Sequence, residues 1–309
     1  MRIVFLCPPI GKLNGGIKYI FRMAETLCAD GFDAVVCEQD KAKPSWFTSN
    51  APLIGYDALQ PRQGDILVLP EDQPDMLRTL ATWPQRKIIY CQNQFYAALG
   101  TTGATSYADY GVTDILCSSQ TIRAYCAERH PQIPTHLVPC SVDSTLFKPS
   151  AKIEQIAYAP RKRMIESAYL QDMFHHHYPQ WRAVPWLELS NLSEAQIAAG
   201  MASSALFLAL SRLDGFGLTP IEAMAAGCVV AGFTGIGGRE YATSANGFWA
   251  EEDDFPACLL ALEQAMQLWQ TGESPLAAYH AAANATAARY TPTVFASACR
   301  DAWTSIMLA

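Results

Sequence analysis

Two acids, Asp214 and Glu222, bracket a glycine turn in the stretch SRLDGFGLTPIEAMAAGCVVAGF, with Gly215, Phe216, Gly217, Leu218 and Thr219 following the first of them. An apolar strand over 205–210 leads into the turn, and the two glycines allow a tight reversal and close backbone approach to a ligand. Thr219 fits a helix N-cap, Pro220 the first helical position and Gly227 the stop. A helix that starts at such a turn presents backbone N–H groups and the positive end of its dipole, a setting for a phosphate. Carboxylates next to that setting repel phosphate, so their chemistry is the binding of hydroxyl groups such as those of a sugar. The tetrapeptide Thr219-Pro-Ile-Glu222 also has the form of a capping box, with Glu222 bonding back to the Thr219 N–H. Both roles for Glu222 stand on this stretch alone, and Asp214 equally suits an ordinary turn.

Other residues carry chemistry too. The run APRKR (159–163) follows a strand and groups Arg161, Lys162 and Arg163. Guanidinium forks and an ammonium group suit a departing phosphate, and a solvated basic turn is the plain alternative. In GKLNGGIKY (11–19), Gly15 and Gly16 either admit a ligand close to the backbone or form a flexible turn; Lys12 and Lys18 are expected as surface charges. In YCQNQFYAALG (90–100), Gln92, Asn93 and Gln94 can bond sugar hydroxyls and Phe95 or Tyr96 can stack on a sugar face, or the stretch is a polar loop over core aromatics. His175, His176 and His177 are consecutive, so on a helix they point in different directions and do not converge on one metal ion. They suit a helix end, as Glu251–Asp254 suits an exposed turn before a helix start.

These residues need a scaffold. Short apolar runs alternate with helical patterns along the first half: strands at 2–7, 33–37, 65–69, 87–91, 114–118 and 136–139, and helices at 17–29, 74–81 and 121–129. A second series follows, with strands near 155–160, 181–189, 205–211 and 228–233 and helices between them. That alternation implies α/β architecture with parallel sheets and helices on both faces. The polar, proline-bearing segment SVDSTLFKPSAK separates the series, which places a boundary near Phe147.

The chain has 309 residues, half of them apolar, and a net charge of −7. It is long enough for two ordinary domains, and it has no overall basic field for nucleic acid. Ten scattered cysteines without a C-x-x-C pair read as buried, reduced thiols of a cytoplasmic protein. The apolar run at the N-terminus reads as a buried strand rather than a signal peptide, and no run is long enough to span a membrane. Peripheral membrane contact stays open.

The motifs together resemble the GT-B glycosyltransferases of family 4, also called group 1. DGFGLTPIEAMAAGCVVAG is similar to their donor motif, E-x7-E, here D-x7-E; GIGGREYATSANGFWAEEDD follows it in kind. HLVPCSVDSTLFKP resembles the family's hinge, and NGGIKYIFRMAETLCADGFDAVV its N-terminal pattern. The resemblance implies two Rossmann-like domains facing each other across a cleft: an acceptor domain at 1–147, a donor domain at 148–290, and a helix at 291–309 crossing back to the first. It implies transfer of a hexose-type sugar from a nucleotide-diphosphate sugar to a hydroxyl of a glycan, lipid-linked or small-molecule acceptor, with retention and without a metal. Glu222 would bind the ribose, Asp214 the donor sugar, and the backbone from Phe216 to Thr219 the diphosphate, with Gly215 in the same turn. Arg161 would neutralise the leaving group, with Lys162 or Arg163 as the second charge. Gly15, Gly16, Asn93 and Gln94 would line the acceptor side. Relatives often carry a His near the last two, and this chain has none there. A binding subunit without catalysis is the alternative, and a GT-B nucleotide-sugar isomerase a more remote one.

Overall fold

A computed structural model describes residues 1–11, 15–101 and 106–308, so Lys12 lies outside the described residues. The chain forms two compact units, one of residues 1–140 with 293–309 and one of residues 141–292.

The first unit holds β1 (Ile3–Leu6), α1 (Gly15–Ala29), β2 (Ala34–Cys37), β3 (Leu53–Ile54), β4 (Ile66–Pro70), α2 (Pro74–Leu80), β5 (Arg86–Cys91), α3 (Gln94–Gly100), β6 (Val112–Cys117), α4 (Gln120–Arg129) and β7 (Thr135–Leu137). The strands pair in parallel in the order β3-β2-β1-β4-β5-β6-β7. Runs such as Ile3–Leu6 and Ile66–Leu69 are apolar at every position because both faces of a parallel sheet are covered. Chain order reverses between β1 and β4, and the crevice outside such a reversal is where α/β sheets take ligands.

The second unit holds β8 (Ile153–Tyr158), α5 (Met164–His177), β9 (Trp186–Glu188), α6 (Glu194–Ser203), β10 (Ser204–Asp214), α7 (Leu218–Ala225), β11 (Val229–Ile236), β12 (Phe248–Ala250), α8 (Phe255–Gln270) and α9 (Glu273–Ala287). Its parallel order is β12-β11-β10-β8-β9, with the reversal between β8 and β10. Segment 141–147 is fastened to this unit: the Val142 N–H donates to Tyr290 O at 2.7 Å, and Phe147 is buried. The division therefore falls at Cys140–Ser141, ahead of the expected Phe147.

The last helix, α10 (Pro292–Leu308), carries an apolar stripe of Phe295, Cys299, Ala302, Trp303 and Ile306 at helical spacing. It lies in the first unit, where Trp303 meets Phe5 edge-on at 6.2 Å and Phe295 meets Tyr19 at 5.8 Å. Arg86 Nη1 donates to Ile306 O at 2.7 Å.

Three elements depart from the sequence reading. The amide-rich stretch after β5 is mostly helix α3, begun by Asn93, whose side chain accepts from the Phe95 N–H at 3.0 Å. Strand β10 does not end at Ser211 but continues irregularly to Asp214, with Leu213 at φ 48°. Helix α7 starts at Leu218, one residue before the expected Thr219 cap.

Trp303→Ala removes the largest fully buried side chain and is expected to cost about 3–5 kcal/mol. Urea unfolding measures this; a loss under about 1 kcal/mol would mean that α10 does not complete the first unit's core.

Candidate functional site

At the reversal between β8 and β10, a pocket opens at the carboxyl ends of the strands. Ala159, Arg161 and Lys162 line it from the end of β8, Ser211 and Asp214 from β10, and Thr219 from α7. The strand–turn–helix motif and the basic run are thus brought together.

The turn works through Gly217, at φ +81°, which is the N-cap of α7 and carries no capping side chain. Thr219 is therefore the second helical residue, and the expected capping box does not form. Glu222 lies in the second turn, not the first, and is 5 % exposed. The buried carboxylate is not explained as a cap. The helix ends as expected at Gly227, φ +77°: Gly227 N–H donates to Met224 O and Cys228 N–H to Ala223 O, a Schellman pair.

The turn is held from behind by the segment after β11. Tyr241 Oη donates to Gly217 O at 2.5 Å. Gly237 packs so tightly that a Cβ there would lie 2.4 Å from the Gly215 carbonyl carbon. Phe216 is buried between the rings of Tyr241 and Tyr290, at 5.7 and 5.0 Å. Burial, aided by Asp214 and Glu222 among its neighbours, pushes the Tyr241 phenol well above its ordinary pKa, so it stays a hydrogen-bond donor.

The three cations divide their work. Arg163 is fully buried. It donates to Ser211 O at 3.2 Å, pairs with Asp253 at 2.6 Å and Glu252 at 2.8 Å, and lies 4.4 Å from the Phe233 ring centroid. It is a structural tie and not a free second charge. The Glu251–Asp254 run is correspondingly more than an exposed turn. Glu252 also accepts from the Gly235 N–H at 2.8 Å, and Asp254 caps α8. The Arg163 hydrogen bond holds the Asp253 carboxyl below its ordinary pKa. That contribution is present at neutral pH and is lost as pH falls through the acid range. Lys162 Nζ donates to Arg212 O, Leu213 O and Asp214 Oδ1 at 3.0, 3.1 and 2.8 Å. Those bonds match its three protons. Lys162 therefore aims Asp214 and closes the end of β10. Arg161 stays exposed at the pocket.

Sequence reasoning missed two features. Ser211 Oγ is buried, borders the pocket and has no partner among the described residues. Arg161, Leu213 and Ile236 all have positive φ, at 32°, 48° and 71°. All three lie at the carboxyl edge of this sheet, and such strain concentrates at functional sites. Neither feature has a sequence signal, because both arise from how the loops meet.

In the first unit, Gly15 and Gly16 open α1, and Gln92 Nε2 donates to Gly16 O at 3.0 Å. Asn93 is buried and its oxygen caps α3, so that oxygen is not aimed at a ligand. Gln94 is 7 % exposed, and its Oε1 has no partner among the described residues. A hollow of about 430 Å³ lies in the same unit against Arg2, Asp33 and Arg62. It is larger than the β8–β10 pocket but lies at the amino ends of β1 and β2, away from the ligand edge of the sheet. His175–His177 end α5, and no group of three acids, histidines or cysteines among the described residues is arranged to hold a metal ion. No helix among them is long and apolar enough to cross a membrane.

Comparison with known proteins bears on this geometry. Residues 188–282, which contain the acid pair, match the family model described as glycosyl transferases group 1. An alpha-1,6-glucosyltransferase of Actinobacillus pleuropneumoniae serotype 7 (strain AP76) is 27 % identical over 209 residues, 62 % of this chain and 60 % of that protein. The match thus spans less than two thirds of that relative's length. Sucrose-phosphate synthase from Thermosynechococcus elongatus is similar in structure, with a TM-score of 0.70 at 13 % identity over the whole of both chains. Anabaena HepE in complex with UDP-glucose gives 0.69 at 14 % identity, covering 99 % of this chain and 100 % of the other.

The division among the cations is testable by stability. Arg163→Ala strands two carboxylates and is expected to cost about 3 kcal/mol. Arg161→Ala is expected to stay within about 0.5 kcal/mol of the parent. Equal costs in denaturant melts would contradict the assignment.

Proposed function

We propose that the chain is a glycosyltransferase of the group 1 type on the GT-B fold, and that it transfers a hexose from a nucleotide-diphosphate sugar to an acceptor hydroxyl with retention of configuration. The observation that carries the reading is Asp214 and the exposed Arg161 at one pocket beside the start of α7, with Glu222 buried in the second turn of that helix. Phosphate is favoured at that helix start by about 0.3–1 kcal/mol, and Arg161 adds a planar fork. The backbone from Gly215 to Thr219 takes the diphosphate. Glu222 accepts from the ribose hydroxyls. Asp214, aimed by Lys162, accepts from a hydroxyl of the donor sugar.

In the reaction the bond from the sugar's anomeric carbon to the diphosphate breaks, and a bond from that carbon to the acceptor oxygen forms on the same face. The acceptor's proton passes to the departing phosphate oxygen, so no protein nucleophile is needed. Negative charge grows on the diphosphate, where Arg161 and the helix start stabilise it. The printed ligand of HepE makes UDP-glucose the first donor to try. The acceptor is a glycan, a lipid-linked sugar or a small hydroxyl compound, and no metal takes part. Ten free thiols, nine of them buried, suit the reducing cytoplasm.

Glu222→Gln keeps the shape and removes the charge. It is expected to lower kcat/KM for the nucleotide sugar about 10- to 100-fold, the worth of a charge-assisted hydrogen bond or two. Arg161→Ala is expected to weaken UDP itself by about tenfold in calorimetry. Unchanged values would remove the residue concerned from the site. Nucleotide-sugar binding without transfer to any acceptor would favour a binding subunit, and an altered nucleotide sugar without transfer would favour an isomerase.

A further inference from the structure

Parallel strands bring their amino ends to one edge, and in the first unit the residues that lead into four neighbouring strands meet there. Pro52 leads into β3, Asp33 into β2, Arg2 into β1, and Arg62 into the turn before β4. Together they line the hollow of about 430 Å³. Their main chains are pinned. The Ile3 N–H donates to Asp33 O at 2.7 Å, the Ile66 N–H to Arg2 O at 2.9 Å and the Val36 N–H to Pro52 O at 2.9 Å. The turn 62–65 is closed by the Asp65 N–H on Arg62 O at 3.1 Å, with Gly64 at φ +86°, a conformation that glycine supplies.

Asp65 ties the two arginines together. Its side chain is 1 % exposed, and its Oδ2 accepts from Arg2 Nη2 at 2.7 Å and from the Arg62 N–H at 2.9 Å. Arg2 spends Nη2 there and on Gln60 O at 3.1 Å. Its side chain is largely buried, yet its Nε has no partner among the described residues. The Arg62 guanidinium and the Asp33 carboxylate are exposed at the same hollow and enter no ion pair or side-chain hydrogen bond among the described residues.

Guanidinium donors left unspent at a pinned edge call for an acceptor. We propose that this hollow binds a small phosphate ester that also carries hydroxyl groups, a sugar monophosphate in chemical class, apart from the donor pocket of the second unit. A phosphate monoester brings about 1.5–2 negative charges and three acceptor oxygens near neutral pH. These suit the fork of Arg62 and the spare donors of Arg2. Asp33 repels bare phosphate and accepts from a hydroxyl, so it selects an ester with hydroxyls over the inorganic ion. The hollow has the size of a small-molecule site, more than a bare anion fills, and Phe32 and Pro52 give it apolar wall. The site stands independently of the transferase reading.

Calorimetry of the full chain at saturating UDP, which keeps the donor pocket occupied, tests this with glucose 6-phosphate and inorganic phosphate as probes. Glucose 6-phosphate is expected to bind saturably with a Kd of about 1 mM or below. Inorganic phosphate is expected to bind about tenfold more weakly. Arg62→Ala is expected to weaken glucose 6-phosphate about tenfold. It leaves Tm and UDP affinity unmoved, because its side chain is exposed and lies in the other unit from the donor pocket. Asp33→Asn is expected to close the gap between the probes from both sides, with inorganic phosphate tighter and the ester weaker. No saturable binding of glucose 6-phosphate up to about 10 mM, or an affinity unmoved by Arg62→Ala, overturns the proposal. Equal binding of the two probes, unchanged by Asp33→Asn, overturns the ligand class. A UDP affinity that falls in Arg62→Ala makes the hollow a nucleotide site and overturns both this assignment and the donor placement. A parent that binds no UDP sinks the donor reading only, and the two probes still decide this site.

Discussion

A guanidinium withdrawn from water organises the ligand edge of the second unit. Arg163 bonds the end of β10 through Ser211 O and pairs with Glu252 and Asp253 beyond β12, while its own turn follows β8. A buried charge persists only when its donors are satisfied, so these three loops are held in one arrangement. The same turn that buries Arg163 leaves Arg161 exposed and directs Lys162 onto Asp214. Neighbouring cations of similar charge take a buried, an aiming and an exposed place from position alone.

The glycine turn is fixed by a second, independent set of contacts. Tyr241 grips Gly217 O, and Gly237 admits the backbone of Gly215 where any side chain would collide. With the turn held from behind and β10 from the side, the start of α7 is in place before a ligand arrives. Such preorganisation reduces the ordering that binding would otherwise require. The positive φ of Leu213 and Ile236 shows backbone conformations maintained by those contacts.

Much of this was legible in the sequence. Unbroken apolar runs such as IVFL, ILVLP and ALFLAL announce strands buried on both faces, and their alternation with helices announces parallel sheets. DGFGLTPIE announces a tight strand-to-helix turn because glycines and a helix start coincide. What was not legible depends on tertiary contact. Thr219 has the sequence of a cap, yet Gly217 starts the helix because its left-handed backbone makes the turn two residues earlier than Thr219 would. Arg163 is indistinguishable from Arg161 in a basic run until the fold buries one.

The most direct measurement is a crystal structure of the protein with UDP-glucose. The account predicts the diphosphate at the start of α7 beside Arg161, the ribose hydroxyls on Glu222 and the sugar toward Asp214. Density for the nucleotide in the hollow lined by Arg2 and Arg62, or a diphosphate away from Thr219 and Arg161, would contradict it.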